Sequence, residues 1–143
     1  MADLKDLLER VEKATGPDRE LECRLFAAMP DMSMLEGVSI DKIWAGADGA
    51  VYYTQTDRRG TYFISGIPNY TASIDAALAL CERKLGKFMW AVGDMEDGPF
   101  ARLVVPLKTK RPDNRPEWAV WEGHAATPPL ALLRALIEQE KQR

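Results

Sequence analysis

The sequence contains very few of the residues from which metal and catalytic sites are built. It has one histidine and two cysteines among 143 residues. His124 stands alone, and neither Cys23 nor Cys81 has a second cysteine or a histidine at the spacing of a metal-ligand pair. Both cysteines lie within helical patterns, which is typical of small core thiols. We therefore expect no metal, no cofactor and two buried thiols.

Motifs for nucleophilic catalysis and nucleotide binding are also missing. The sequence has no phosphate-binding P-loop, no dinucleotide-binding glycine pattern and no G-x-S-x-G turn. The acidic residues Asp94, Glu96 and Asp97 lie in one turn, but their spacing does not match a calcium loop. We predict no catalytic residues and expect a protein that is not an enzyme. A small hydrolase or transferase that uses His124 as a base stays open as an alternative.

Long apolar runs and an excess of positive charge are absent too. No run of about 18 apolar residues could span a membrane, and the opening residues lack the pattern of a secretory leader. The net charge is −3, from 19 basic and 22 acidic side chains. We therefore expect one cytoplasmic domain over residues 1–143, with no membrane partner and no general nucleic-acid surface.

Four stretches repeat apolar residues at the spacing of a helix face. The predicted helices begin near residues 4, 18, 73 and 127. The third helix takes Thr71 or Ser73 as its cap, and the fourth takes Thr127 followed by Pro128, which are favoured starts. Residues 30–49 show no clear pattern. We interpret them either as an irregular insert folded back on the core or as a methionine-rich patch for a partner.

Strand signals lie between the helices and after them. Residues 51–56 and 61–65 are rich in β-branched and aromatic side chains and flank a turn that contains Arg58, Arg59 and Gly60, which predicts a hairpin. Three more strands are predicted before the last helix. The sequence therefore predicts an α+β fold, with an antiparallel sheet of about five strands, including the hairpin, sandwiched by helices and ending strand, strand, strand, helix.

Two blocks of the sequence carry a family resemblance. YTASIDAALAL (Tyr70–Leu80) opens the third helix, and GHAATPPLALLRALI (Gly123–Ile137) joins the last strand to the last helix. Together with Leu7–Leu25, they resemble the phage ABA sandwich domain family, whose members are small proteins of bacteriophages and prophages. The resemblance covers most of the chain in scattered blocks and is poorest over residues 30–69. It implies a sheet sandwiched by helices and a viral accessory role, and it brings no catalytic site.

These observations lead to the hypothesis of a non-enzymatic phage or prophage binding protein that antagonises host anti-phage defence. It would either mask a host defence protein or sequester a small nucleotide signal, in the cytoplasm of an infected bacterial cell. A binder of small ligands is also expected to be a homo-oligomer, because symmetry creates sites between subunits.

For nucleotide sequestration, the candidate residues lie at helix starts and around them. Backbone N–H groups at two helix N-termini would bind a phosphate. The predicted ligand-binding residues are Tyr70, Thr71, Ser73, Trp121, His124, Thr127, Arg58, Arg59 and Arg102. The alternative is that the helix-start residues are only caps and tight junctions. Asp75 would repel an anion, and Pro128 and Pro129 supply no N–H donors.

A nucleic-acid-binding module is the second alternative. Residues 71–141 follow the order helix, three strands, helix, as in double-stranded-RNA-binding domains. Such domains contact phosphates through lysines at the start of the last helix, but residues 125–130 contain no basic side chain. The basic cluster Lys108, Lys110, Arg111 and Arg115 either contacts phosphates or is a solvated loop.

Overall fold

The computed structural model describes residues 4–46, 48–110 and 112–142, except for the side chains of 108–110 and 116. The fold is α+β with antiparallel strands, as predicted. Its elements in chain order are α1 (Leu4–Lys13), α2 (Arg19–Ala28), a 3-10 turn (Met32–Leu35), β1 (Ile40–Ala45), β2 (Val51–Gln55), β3 (Tyr62–Ile64), α3 (Ile74–Leu85), β4 (Met89–Met95), β5 (Gly98–Lys110), β6 (Pro116–His124) and α4 (Pro128–Lys141).

The strands form two antiparallel sheets in the described part of the chain. Sheet A has the order β1-β2-β3, and sheet B has the order β4-β5-β6. A single sheet of about five strands, as predicted, is therefore not what the structure has. The additional strand β1 lies within residues 30–49, so that segment is not irregular throughout. The sheets are separated in sequence by α3, and helices contact one face of each.

The four helices link the two sheets. Helix α4 packs on β5 and β6 and also on α1 and α3, whereas α2 packs on β1 and β2 and on α1. Helix α4 is accordingly apolar almost all round, with Leu130, Leu133 and Ile137 among its fully buried side chains. We call the helix-covered face of each sheet its inner face and the opposite face its outer face. None of the helices in the described residues is long and apolar enough to cross a membrane.

Hydrogen bonds join α2 and α3 near both ends, N-terminal end to N-terminal end and C-terminal end to C-terminal end. At their N-terminal ends, the buried Glu22 accepts hydrogen bonds from the Thr71 hydroxyl at 2.7 Å and from the Thr71 N–H at 3.0 Å. At the other ends, Arg83 donates to the Met29 carbonyl at 2.7 Å. The α2 cap is Asp18, whose carboxylate accepts from the Leu21 N–H at 3.0 Å. The bonds made by Thr71 and Arg83 connect residues about fifty positions apart and fix the two helices to each other.

Candidate binding surfaces

Thr71 is used inside the fold. Its hydroxyl accepts from the Asp18 N–H at 2.8 Å and donates to Glu22, and its own N–H also donates to Glu22. A buried carboxylate beside these groups would repel an anion. The cap of α3 is Ser73, whose Oγ accepts from the Ala76 N–H at 3.2 Å. The predicted phosphate site at the start of α3 is therefore not formed by Thr71, because its hydrogen bonds are already taken.

Tyr70 and Thr127 do not face solvent as ligand groups would. Tyr70 is only 1% exposed, and burial raises the pKa of its hydroxyl, an effect partly offset by the Arg83 guanidinium. Thr127 caps α4 in position only, since its side chain makes no cap hydrogen bond. A base could not stack on Tyr70 without displacing part of the core.

The other predicted ligand residues are distributed over two sheets and two faces. Trp121 pairs with the buried Leu103 and lies on the inner face of sheet B, where its Nε1 donates to Gln142 Oε1 at 3.0 Å. His124 and Arg102 lie on the outer face of sheet B. Arg58 and Arg59 are exposed in the turn between β2 and β3 of sheet A. The structure does not bring these residues together into one site.

The cysteines are core thiols, as predicted. Cys23 and Cys81 are free and buried. Burial raises the pKa of both thiols, that of Cys81 to about 12, so both are protonated near neutral pH. In the part of the chain that the structure describes, no group of three or more His, Cys, Asp or Glu side chains could hold a metal ion.

A groove of about 850 Å³ runs along β1, between this strand, α2 and α1. Its β1 wall consists of five consecutive residues, Asp41 to Ala45. Consecutive strand residues point to opposite faces, so a cavity that touches all five lies along the edge of the strand. The α2 wall includes Arg24, Ala27 and Ala28, and the two alanines leave the space open. We call this cavity the β1 groove.

The edge of β1 turns backbone groups towards the β1 groove. The Gly46 N–H donates to the Ala50 carbonyl at 3.0 Å, so Gly46 and Ala50 form a hydrogen-bonded pair. In an antiparallel pair these alternate with residues whose N–H and C=O point away from the neighbouring strand. Ile43 and Ala45 are therefore the β1 residues whose backbone groups point away from β2. Because β1 is the edge of sheet A, no described strand pairs with them.

The β1 groove carries charges of both signs. Arg24 donates to Glu20 at 3.2 Å and lies 4.0 Å from Asp6, which in turn accepts from Arg10 at 3.0 Å. Lys42 adds a positive charge on the strand side and Asp41 a negative one. The groove is therefore not a cationic pocket suited to several phosphates.

The outer face of sheet B is a second candidate surface. Across β5 and β6, four rows of paired residues lie on it: Pro106 with Trp118, Val104 with Val120, Arg102 with Glu122, and Phe100 with His124. Val120 is 54% exposed and Trp118 is 42% exposed, and Met89 of β4 is 55% exposed. Exposed apolar side chains on one contiguous face mark interaction surfaces.

Sequence reasoning missed both surfaces. A signal for the outer face is present: Val104 and Val105, and Val120 and Trp121, are neighbours with opposite orientations, so β5 and β6 are apolar on both faces. The β1 groove had no such signal, because Asp41 and Lys42 interrupt the alternation of a short strand.

The order α3, β4, β5, β6, α4 matches the predicted nucleic-acid alternative, but the charges oppose it. Glu96 and Asp97 are exposed in the β4–β5 turn, where they would repel phosphate. Arg111 and the side chains of Lys108 and Lys110 lie outside the described part of the chain.

No family model, no curated protein and no solved structure matches this chain, so the comparisons with known proteins assign it to no family. The resemblance to the phage ABA sandwich domain family stays a prediction.

Proposed function

We propose that the protein is a non-enzymatic binding protein that holds an extended segment of another protein in the β1 groove. Following the sequence resemblance, we further propose that this partner is a host defence protein in the cytoplasm of an infected bacterial cell, and that binding masks it. The observation that carries the proposal is the free backbone edge of β1 beside an 850 Å³ groove. In this proposal the two sheets and their helices correspond to the sandwich that the resemblance implies.

Backbone complementarity favours an extended peptide as the ligand. A strand added beside β1 would pair with the N–H and C=O groups of Ile43 and Ala45, as in other cases of strand addition. Its alternate side chains would face Ala27 and Ala28, whose small size leaves room for apolar groups. Strand β1 has six residues, so the paired segment would extend over roughly 20 Å.

Lys42 makes this edge selective. Lysines on edge strands disfavour pairing with arbitrary strands, because a buried or unmatched ammonium is costly. A segment with an acidic residue opposite Lys42 avoids that cost. We therefore propose a partner segment with apolar residues towards α2 and an acidic residue across from Lys42.

Nucleotide sequestration is supported less well. The residues predicted for it are separated, and the cations of the β1 groove stand beside Asp6 and Asp41. A multiply charged phosphate ligand would meet these carboxylates as well as Arg24 and Lys42.

A photo-cross-linking amino acid at Asp41, which lines the β1 groove beside Lys42, tests the proposal directly and leaves Lys42 in place. The labelled full-length protein is added to an extract of defended bacterial cells, the cross-linked peptide is sequenced, and its synthetic form is titrated by calorimetry. We expect an extended segment of one host protein. Cross-linking to a nucleotide, or to no defined segment, would contradict the proposal.

A matched pair of variants then separates backbone pairing from side-chain contact. Ile43→Pro removes the N–H that points towards the β1 groove, whereas Ile43→Ala shortens the side chain and keeps that N–H. We expect Ile43→Pro to weaken binding of the synthetic peptide at least about tenfold more than Ile43→Ala, which corresponds to about 1.4 kcal/mol. Equal affinities for the two variants, both folded by circular dichroism, would rule out strand addition.

A further inference from the structure

The outer face of sheet B combines apolar side chains with one central ion pair. Arg102 donates to Glu122 through Nε at 2.8 Å and also through Nη2. Both bonds fall on Oε1 of Glu122, and no donor in the described part of the chain reaches Oε2. The Arg102–Glu122 row has the Phe100–His124 row on one side and the Val104–Val120 row on the other.

We infer that the outer face of sheet B is covered by the same face of a second copy of this chain. The inference goes beyond the proposed function, because the β1 groove lies on sheet A and plays no part in it. The dimer is isologous, with a two-fold axis that lies in the interface and runs along the strands between β5 and β6.

The charge pattern selects a second copy as the occupant. Covering an Arg–Glu pair removes it from water, which is costly unless the remaining donors and acceptors find partners. The two-fold axis places the partner's Arg102 over Glu122 and the partner's Glu122 over Arg102. The guanidinium of the partner then reaches Oε2, and the two pairs become a ring of four alternating charges. A partner protein of uniform charge on this face would leave one member of the pair unmatched.

The apolar rows are self-complementary about the same axis. Since paired residues exchange places, Val104 meets the partner's Val120, and Pro106 meets the partner's Trp118. The strands of the two sheets run in the same direction, which is the aligned arrangement of stacked sheets about 10 Å apart. The Val104–Val120 and Pro106–Trp118 rows thus lie against the same rows of the partner, and the Arg102–Glu122 row lies against the partner's Arg102–Glu122 row.

Charge-swap variants test this arrangement because the affected side chains are exposed and outside the core. Oligomeric state is measured by sedimentation velocity on the full chain over a range of concentrations. We expect wild type to be a dimer, and Arg102→Glu and Glu122→Arg each to raise the dimer dissociation constant at least about tenfold, since each variant brings four like charges together. The double variant Arg102→Glu/Glu122→Arg is expected to form the dimer again.

Mixing the two single variants tests whether charge pairing across the interface, and not a loss of folding, explains the weaker dimerisation. An equimolar mixture of Arg102→Glu and Glu122→Arg places opposite charges across the interface, so it is expected to form a heterodimer at concentrations at which each variant alone is largely monomeric. Val120→Lys should be monomeric, whereas Phe63→Lys, on the outer face of sheet A, should stay dimeric. A monomeric wild type, single variants that dimerise as well as wild type, or a mixture that stays monomeric would each overturn the inference.

The dimerisation test and the test of peptide binding in the β1 groove can fail independently of each other. Ile43→Pro is expected to leave the dimer unchanged, and Arg102→Glu is expected to leave peptide affinity unchanged. If dimerisation alone is not observed, the inference about sheet B is wrong and the proposed function stands. If peptide binding alone is not observed, the proposed function is wrong and the inference about sheet B stands.

Discussion

Sheets A and B each have three antiparallel strands and one helix against the inner face, yet they are covered to different degrees. On sheet B, a Cβ added to Gly123 would collide with the carbonyl oxygen of Ala131 and lie 2.8 Å from the Ala135 nitrogen, so α4 touches the sheet there with its backbone. On sheet A, α2 leaves the β1 groove open. Gly123 at this crossing point therefore allows α4 to lie directly on sheet B.

The outer faces differ as well. Sheet A carries Trp44 stacked on Tyr52, with ring centroids 6.0 Å apart, and Phe63, which is 66% exposed. Sheet B carries Val104, Val120 and Met89 around one ion pair, with Phe100 and Trp118 in the flanking rows. The polar ends of Trp44 and Tyr52 tolerate water, whereas valine and methionine gain only from being covered. The side chains next to the sheet B ion pair therefore gain more from being covered than the stacked Trp44 and Tyr52 rings do.

Gly123→Ala should break the close contact that distinguishes sheet B. The added methyl group meets α4 backbone atoms, which cannot move aside as a flexible side chain would, so we expect a loss of about 3 kcal/mol in the free energy of unfolding. Urea unfolding followed by tryptophan fluorescence measures it. Gly16→Ala is the control, because no atom lies within 4 Å of the added Cβ, and its effect should stay within about 0.5 kcal/mol. Equal effects of the two substitutions would contradict the close packing.

Trp118→Ala and Trp121→Ala compare the two faces of one strand. Trp121 lies on the inner face and donates a hydrogen bond to Gln142. Its removal should lower the free energy of unfolding by about 2 kcal/mol, which is less than the 3–5 kcal/mol typical of fully buried aromatic side chains. Trp118 lies on the outer face, and its removal should leave the stability of the isolated subunit within about 0.5 kcal/mol. Thermal unfolding at low protein concentration tests both. Greater destabilisation by Trp118→Ala would reverse the assignment of faces.

Thr71→Val should loosen the attachment of the sheet A helix α2 to α3. The substitution keeps the shape but leaves the buried Glu22 carboxylate without the hydroxyl donor, with an expected cost of about 2 kcal/mol. Chemical denaturation gives the value, and Thr61→Val, an exposed threonine, is the matched control. A neutral effect at Thr71 would mean that Glu22 is satisfied in another way.

A pH titration probes the opposite end of the α2–α3 pair and gives the smallest effect. Hydrogen bonds from Ser33, its hydroxyl first, together with the Arg83 guanidinium, hold the pKa of Asp31 below its ordinary value, although burial opposes them. A lowered folded-state pKa means that the stabilisation is complete above the unfolded-state pKa, near 3.8, and is lost as pH falls through the folded-state value.

The stability difference between wild type and Asp31→Asn should therefore be constant from neutral pH to about pH 5 and shrink below about pH 4. Unfolding midpoints across this range measure the difference. A stability difference between wild type and Asp31→Asn that does not change with pH would show that Asp31 contributes through its shape and not through its charge.

The helices were predictable because each has a strong local signal. Ser73 and Gly86 bound α3, and the apolar residues of α1 repeat at helical spacing. Strand β1 was not predicted, since Asp41 and Lys42 are adjacent charges in a strand of only six residues. The division into two sheets was not predictable either, because strand partners depend on packing over α2 and α4 and not on local pattern.

The candidate sites depended still more on tertiary structure. Thr71 has the sequence of a helix start, but its bonds to Glu22, 49 positions away, take up the groups that a ligand would need. Trp118 and Trp121 are three positions apart, so strand alternation alone places them on opposite faces. The pairing of Arg102 with Glu122 does not follow from local pattern, since register across 20 positions is fixed by the whole sheet.

The position of α4 affects the order in which this protein folds during synthesis. The helix contacts β5, β6, α1 and α3, and it follows all of them in the chain. When residues up to about 127 have emerged from the ribosome, the residues of two sheets and three helices are therefore outside it, while the centre of their shared core is still missing. Stable folding must wait until α4 emerges, and until then sheet B exposes apolar side chains on both faces, a state that chaperones bind and that aggregates readily.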